Sequence, residues 1–139
     1  PHDIAEDSQN NLFIADTLNH KIRKVNLQTG VISTYAGTGQ AGNSGDGGRA
    51  DQAMLDSPRG IGVDASGHLY IADTNNKIIR MVHTQTGIIT RIAGGGTRIA
   101  GPALETQFEA PYDLSLDNQG NIYVVDALDN RIKKISVSQ

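Results

Sequence analysis

Apolar and polar positions along the chain fall into short runs separated by clusters of Gly, Asn, Asp and Ser. The clearest stretch begins at Gly60. Gly60-Ile61-Gly62-Val63-Asp64 predicts a strand, closed by the small-residue turn Ala65-Ser66-Gly67. His68-Leu69-Tyr70-Ile71-Ala72 follows as a nearly continuous apolar run, the pattern of a strand covered on both faces. Asp73-Thr74-Asn75-Asn76 turns the chain into a third strand, Ile78–Val82, and Gln85-Thr86-Gly87 turns it into a fourth, Ile88–Ala93. No stretch combines helical period with helical length. Met54-Leu55-Asp56-Ser57, and Thr106-Gln107-Phe108-Glu109 in its place later, have room for one turn of helix.

The same pattern recurs. Pro1–Gly37 aligns without gaps on Pro58–Gly94 at an offset of 57, with 18 of the 37 positions identical, among them Asp7/Asp64, Leu12/Leu69, Asp16/Asp73, Asn19/Asn76 and Arg23/Arg80. A third copy opens at Pro111, offset 53 from Pro58, and carries Asp117, Tyr123, Asp126 and Ile132 in register. The chain is thus one domain, residues 1–139, made of repeats 1–57, 58–110 and 111–139. Four antiparallel strands repeated at this spacing predict an all-β fold, a β-propeller of four-stranded blades. A single such sheet cannot cover both of its faces, whereas blades stacked around an axis can, which accounts for apolar runs in place of strict alternation.

Residue content narrows the function. Aromatics make up only 4% and Trp is absent, so the core is built from Ile, Val, Leu and Ala. A net charge of −3 disfavours a nucleic-acid partner. The absence of Cys removes disulfides, thiolate metal sites and Cys nucleophiles. It leaves the compartment open, with an extracellular or periplasmic setting favoured. No stretch reaches the roughly 18–20 apolar residues of a membrane-spanning helix. Beginning at Pro1, the chain reads as a processed product or an excerpt.

Ala15-Asp16-Thr17-Leu18-Asn19-His20-Lys21-Ile22-Arg23-Lys24-Val25 resembles the signature of NHL-repeat propellers of bacterial type. So do the Pro-x-x-Ile openings and the spacer Ser44-Gly45-Asp46-Gly47-Gly48-Arg49-Ala50. The third copy departs by placing Asp129 where the others have Asn, and its spacer Gly101-Pro102-Ala103 is a shortened relative of the first. The resemblance implies a ring of roughly six blades. Some eleven strands form an incomplete ring, so either the chain is part of a longer polypeptide or two copies assemble into one six-bladed homo-oligomeric ring. Open ends expose strand edges and blade faces, which favours association.

Two sets of positions are candidates for function. Asp16, Asp73 and Asp126 follow the second strand of each repeat, and their recurrence predicts that they are structural, each accepting backbone N–H bonds in the turn that follows. The competing reading is a ring of carboxylates at the channel mouth. The second set varies between repeats: His2, Arg59 and Tyr112, then Asp3, Gly60 and Asp113. Positions common to all repeats build the blade, so variable ones at a strand start are read as ligand-binding, namely His2, Arg59, Tyr112, Asp3 and Asp113, with solvated loop-end residues as the competing reading.

Catalytic and metal chemistry find little support in the residues. The family resemblance includes a propeller lyase acting on peptidyl-hydroxyglycine that holds zinc through histidines in Pro-His openings. Here only His2 fits that pattern, and a catalytic zinc takes three protein ligands. His20, His68 and His83 lie at other registers. Gly37-Thr38-Gly39-Gln40-Ala41-Gly42 fits a dinucleotide fingerprint, but Asn43–Gly48 cannot open the helix that it requires. The Gly-Asp-Gly-Gly stretch offers one carboxylate where a calcium loop alternates several. Lys21, Arg23, Lys24, Arg131, Lys133 and Lys134 make the third strands basic, as in NHL propellers that bind RNA. Without interleaved aromatics they predict a solvated outer face. No Gly-x-Ser-x-Gly elbow occurs.

The expected protein is therefore an NHL-type binding scaffold with no catalytic residue, metal or cofactor, engaging a protein or small polar ligand through loops at the channel mouth. Its rivals are a metal-dependent lyase or hydrolase, and a purely structural segment of a larger secreted or surface protein.

Overall fold

A computed structural model describes residues 1–136. Among these residues, eleven strands form three antiparallel sheets, each a meander. Blade 1 holds β1 (Asp3–Glu6), β2 (Asn11–Asp16), β3 (Lys21–Asn26) and β4 (Ile32–Ala36). Blade 2 holds β5 (Gly60–Val63), β6 (Leu69–Asp73), β7 (Ile78–Val82) and β8 (Ile89–Gly94), and blade 3 holds β9 (Pro111–Leu116), β10 (Ile122–Asp126) and β11 (Arg131–Ile135). β1 lies against β5 and β5 against β9, so the first strands gather on the axis side. This is the blade arrangement of an incomplete β-propeller. Short 3-10 turns occupy Thr17–Asn19, Thr74–Asn76, Ala50–Gln52 and Ala103–Glu105. In both spacers the helical turn comes before the stretch that the sequence suggested, because Ala50 and Ala103 accept N–H bonds from Ala53 and Thr106 and the chain is extended beyond.

Two cores lie between blades. Phe13, Ala15, Ile22 and Ala36 of blade 1 meet Ile61, Leu69, Ile71, Val82 and Ile89 of blade 2, capped by Ala50, Ala53 and Leu55 of the spacer. Ala72, Ile79 and Ala93 leave the opposite face of blade 2 to meet Leu114, Ile122 and Val124, capped by Phe108. The unbroken apolar run of β6 follows from this: Leu69 and Ile71 serve one core while Ala72 serves the other. Among the described residues the two outer faces have no neighbour. Ile61 is 3% exposed while Ile4, its counterpart in blade 1, is 62% exposed, and Ile132 is 65% exposed where Ile79 is fully buried.

The hairpin between the first two strands is the same in each blade. Asp64 Oδ1 accepts the N–H groups of Ser66 and His68, as Asp7 does for Gln9 and Asn11 and Asp117 for Gln119 and Asn121. Each turn passes through a left-handed residue, Asn10, Gly67 or Gly120. The Asn121 side-chain amide, reinforced by these N–H groups against some desolvation, holds Asp117 below the usual carboxylate range. Asp64 also accepts a bond from the Tyr70 hydroxyl at 2.9 Å. Asp64→Ala removes three acceptor contacts from one hairpin and lowers stability by about 1–2 kcal/mol, against a few tenths for Asp64→Asn, measurable by urea titration.

Candidate functional site

The recurrent carboxylates sit where β2, β6 and β10 end, and they differ in what they hold. Asp73 is fully buried and accepts the backbone N–H of Asp56 at 2.8 Å and the Asn76 side-chain amide at 2.8 Å. Asp126, also buried, accepts the N–H groups of Ala110 (2.7 Å) and Glu109 (3.1 Å). These backbone donors belong to the spacer ahead of the blade, not to the turn behind it. The expected N–H partners in the following turn are thus corrected: after Asp73 that turn is a 3-10 turn that supplies only the Asn76 side chain, and after Asp126 it supplies none. Asp16 carries the Asn19 amide alone, at 3.1 Å.

A buried cation completes this arrangement. Arg80 donates to Met54 O (2.7 Å), Ser44 O (2.9 Å), Asp46 (3.1 Å) and Asp73 (3.4 Å), with its side chain fully buried. Asp46, the lone carboxylate of the Gly-rich spacer, is committed to Arg80. In blade 3, Lys133 takes the same place, bound to Gln107 O (2.7 Å), Asp126 (2.8 Å) and Asp129 (3.0 Å). Arg23 in blade 1 has a buried Nε without a partner among the described residues. The basic third strands are therefore not a uniformly solvated face. Arg80 and Lys133, at equivalent places in β7 and β11, turn inward onto spacer carbonyls. Burial pushes Asp73 up to about 6, against the opposing Asn76, Asp56 and Arg80 contacts. Burial acts the same way on Asp126, but Ala110, Lys133 and Glu109 outweigh it and hold that carboxyl low.

The repeat-variable residues meet at the starts of β1, β5 and β9. His2 Nδ1 lies 3.2 Å from Arg59 O, and the Arg59 guanidinium stands 4.8 Å from the centroid of the Tyr112 ring. The Nε of Arg59 is buried with no hydrogen-bond partner among the described residues. Asp3 and Asp113 lie one residue deeper. Asp3 Oδ2 accepts the N–H of Ile61 at 3.0 Å, and Asp113 Oδ1 accepts that of Leu114 at 2.8 Å. Burial pushes Asp113 up. The Leu114 N–H and the His2 ring oppose this, while the neighbouring Asp3 carboxyl adds to the rise. Gly60 makes the approach possible, since a Cβ there would stand 2.5 Å from Asp113 Cα and 2.9 Å from Tyr112 O.

The remaining histidines are apart from this array. His20 Nδ1 accepts the Ser57 N–H at 3.0 Å, and His68 stacks on His83 with ring centroids 4.3 Å apart. Among the described residues no three His, Asp or Glu side chains converge as metal ligands. No helix among them is long and apolar enough to cross a membrane.

Comparison with known proteins gives the same architecture a lineage. The Teneurin NHL domain family matches residues 37–103. NHL repeat-containing protein 2 of Gallus gallus is 37% identical over 82 residues, 58% of this chain and 11% of that protein. Teneurin-1 of Homo sapiens is 32% identical over 136 residues, 83% of this chain and 5% of that protein. The chain is built of NHL repeats. A Bacteroides thetaiotaomicron protein of unknown function superimposes on this NHL segment with a TM-score of 0.80 at 26% identity, over 89% of this chain and 32% of that one. Virginiamycin B lyase of Staphylococcus aureus superimposes with a TM-score of 0.60 at 14% identity, over all of this chain and 42% of that one, a likeness of fold. The NHL segment thus spans a small fraction of its curated relatives and about a third to two-fifths of these solved chains.

Proposed function

We propose that this NHL segment is a binding scaffold whose contact point is the mouth array of His2, Arg59 and Tyr112, backed by Asp3 and Asp113. The observation that carries the reading is the state of Arg59. Its guanidinium stacks on Tyr112 and keeps a buried Nε–H without an acceptor. A stacked guanidinium is held in one orientation and presents a planar fork of donors, which suits a carboxylate. The ligand is therefore an acceptor-bearing polar group, most simply a carboxylate of a protein loop or small molecule, with the His2 ring and Tyr112 hydroxyl as flanking contacts. A purely structural role inside a larger protein is the second reading, favoured by the small share of each curated relative that the chain covers.

Titration of the 15N-labelled protein with glutamate and with a Glu-rich hexapeptide separates these readings. Saturable shifts centred on residues 2–3, 59–61 and 112–114, abolished by Arg59→Ala in a protein that keeps its β-sheet spectrum, are the expected result. Shifts scattered over the surface, or unchanged in Arg59→Ala, remove the mouth array from consideration.

A further inference from the structure

Blades 1 and 2 meet at their mouth end through a contact that blades 2 and 3 make differently. In blade 3, Asp126 Oδ1 accepts two successive spacer amides, those of Glu109 and Ala110. The offset of 53 that relates the repeats makes Asp56 and Ser57 their counterparts ahead of blade 2. Asp73 accepts the first of these, the Asp56 N–H, at 2.8 Å. The second is turned over to the neighbouring blade: the Ser57 N–H donates to His20 Nδ1 at 3.0 Å. Ser57 is left-handed there, with φ 53, while Ala110 keeps an ordinary backbone. Both residues precede a proline, a place that favours extended backbone, so Ser57 needs a partner to hold it in this conformation. That partner is a side chain whose capacity to accept depends on its protonation.

We propose that His20 and Ser57 form a proton-operated junction between blades 1 and 2 that sets the position of Arg59. With the ring neutral, Nδ1 accepts the Ser57 N–H. Once protonated, Nδ1 carries a hydrogen and turns to the Asp56 carboxylate, whose Oδ1 lies 3.7 Å away. A buried N–H that loses its acceptor must find another. For Ser57 the alternative is the one that Ala110 uses in blade 3, the carboxyl closing the second strand, here Asp73. Reaching it returns Ser57 to extended backbone. In the next blade Lys77 takes the place of His20, its ammonium 3.7 Å from Glu109, the counterpart of Asp56. Lysine stays charged across about pH 5–8, where histidine changes. The charged groups around the junction are Asp56, Asp16 and Lys21 at the ends of the His20 turn, Asp73 with its counter-ion Arg80, and His2 against Arg59 O. The change is carried along the chain. Pro58 O accepts the Thr17 hydroxyl at 2.8 Å, and the Arg59 N–H donates to Ala72 O at 3.2 Å. Turning Ser57 moves the segment that brings Arg59 onto the Tyr112 ring. Its role in ligand binding rests on the function proposed above, whereas the junction stands without it.

Heteronuclear NMR of the labelled full chain between about pH 8 and pH 5 is the test. The Ser57 and Arg59 amides are expected to shift with the midpoint of the His20 ring signals. Asp73 changes charge in the same range, and its side-chain carboxyl carbon is followed separately. In His20→Gln the side-chain oxygen accepts the Ser57 N–H at every pH, so the Ser57 amide should stay in place. An unmoved Ser57 amide in the wild type overturns the proposal. A Ser57 amide that follows the Asp73 carboxyl, or that moves equally in His20→Gln, assigns the titration to Asp73 and overturns it as well. A Ser57 shift that does not extend to Arg59 overturns the link to the mouth array. No ligand enters these measurements, so the glutamate titration decides the mouth array independently.

Discussion

Arg80→Ala lowers the unfolding free energy by about 3–5 kcal/mol, the range for removing one partner of a buried ion pair, and a large part of the stability of a domain this size. The substitution strands two spacer carbonyls, Ser44 and Met54, and leaves Asp73 without a cation in a site closed to water. The loss depends on pH. Burial places the folded-state pKa of Asp73 at about 6, above its ordinary value of 3.8, so its protonated form favours folding. That contribution is complete below the ordinary carboxylate range and gone once pH has risen through about 6. Above it the fold must hold a charged carboxyl, and Arg80 is the counter-ion. Urea titrations of wild type and variant should therefore diverge more at about pH 7.5 than at about pH 4.5. Arg80→Lys recovers part of the loss, because Lys133 fills the same place in blade 3 with one carbonyl and its carboxylates. An Arg80→Ala protein as stable as wild type at both pH values would show that the ion pair contributes nothing net.

Gly60→Val costs about 3 kcal/mol and breaks the mouth array. The added Cβ meets main-chain atoms, Asp113 Cα at 2.5 Å and Tyr112 O at 2.9 Å, which cannot swing aside, so β5 and β9 must separate. Separation takes Arg59 off the Tyr112 ring, and the upfield-shifted signals that a stacked guanidinium side chain gives should move toward random-coil positions. Gly62→Ala, two places along the same strand, is the control. There the added Cβ meets the tips of flexible side chains, Leu114 Cδ1 at 2.9 Å and Leu116 Cδ1 at 3.1 Å, and the cost should stay below about 1 kcal/mol. Equal losses for the two would mean that backbone approach is not what Gly60 provides.

These two residues also show where reading the chain succeeds and where it stops. The strands of blade 2 were legible to within a residue or two, because each is bounded by turn residues and repeated elsewhere in register. The NHL resemblance was legible for the same reason. The purpose of Arg80 was not. Its recurrence as Arg23 and Lys133 is visible in the alignment, yet a basic strand reads as a solvated face unless the spacer that covers it is known. That spacer lacks hydrophobic period, so nothing local reveals that Asp46, Ser44 and Met54 turn back onto β7. Gly60 was equally opaque. Flanked by Asp3 and Asp113 at equivalent places, it reads as one more variable position, and only the closeness of β9 explains why it has no side chain. The meeting of His2, Arg59 and Tyr112 followed from their common register, whereas the contact of Asp3 with Asp113 did not.

What the residues settled unaided was the local chain: which runs extend, where they turn, and how often the unit repeats, since these depend on neighbours a few positions away. Packing between blades settled the chemistry. Asp73 and Asp126 occupy one register and carry the same side chain, yet burial raises the first while two spacer amides and an ammonium hold the second low. Ionisation answers to the field and solvent at a point in space, and those are set by segments that come together only when the sheets stack.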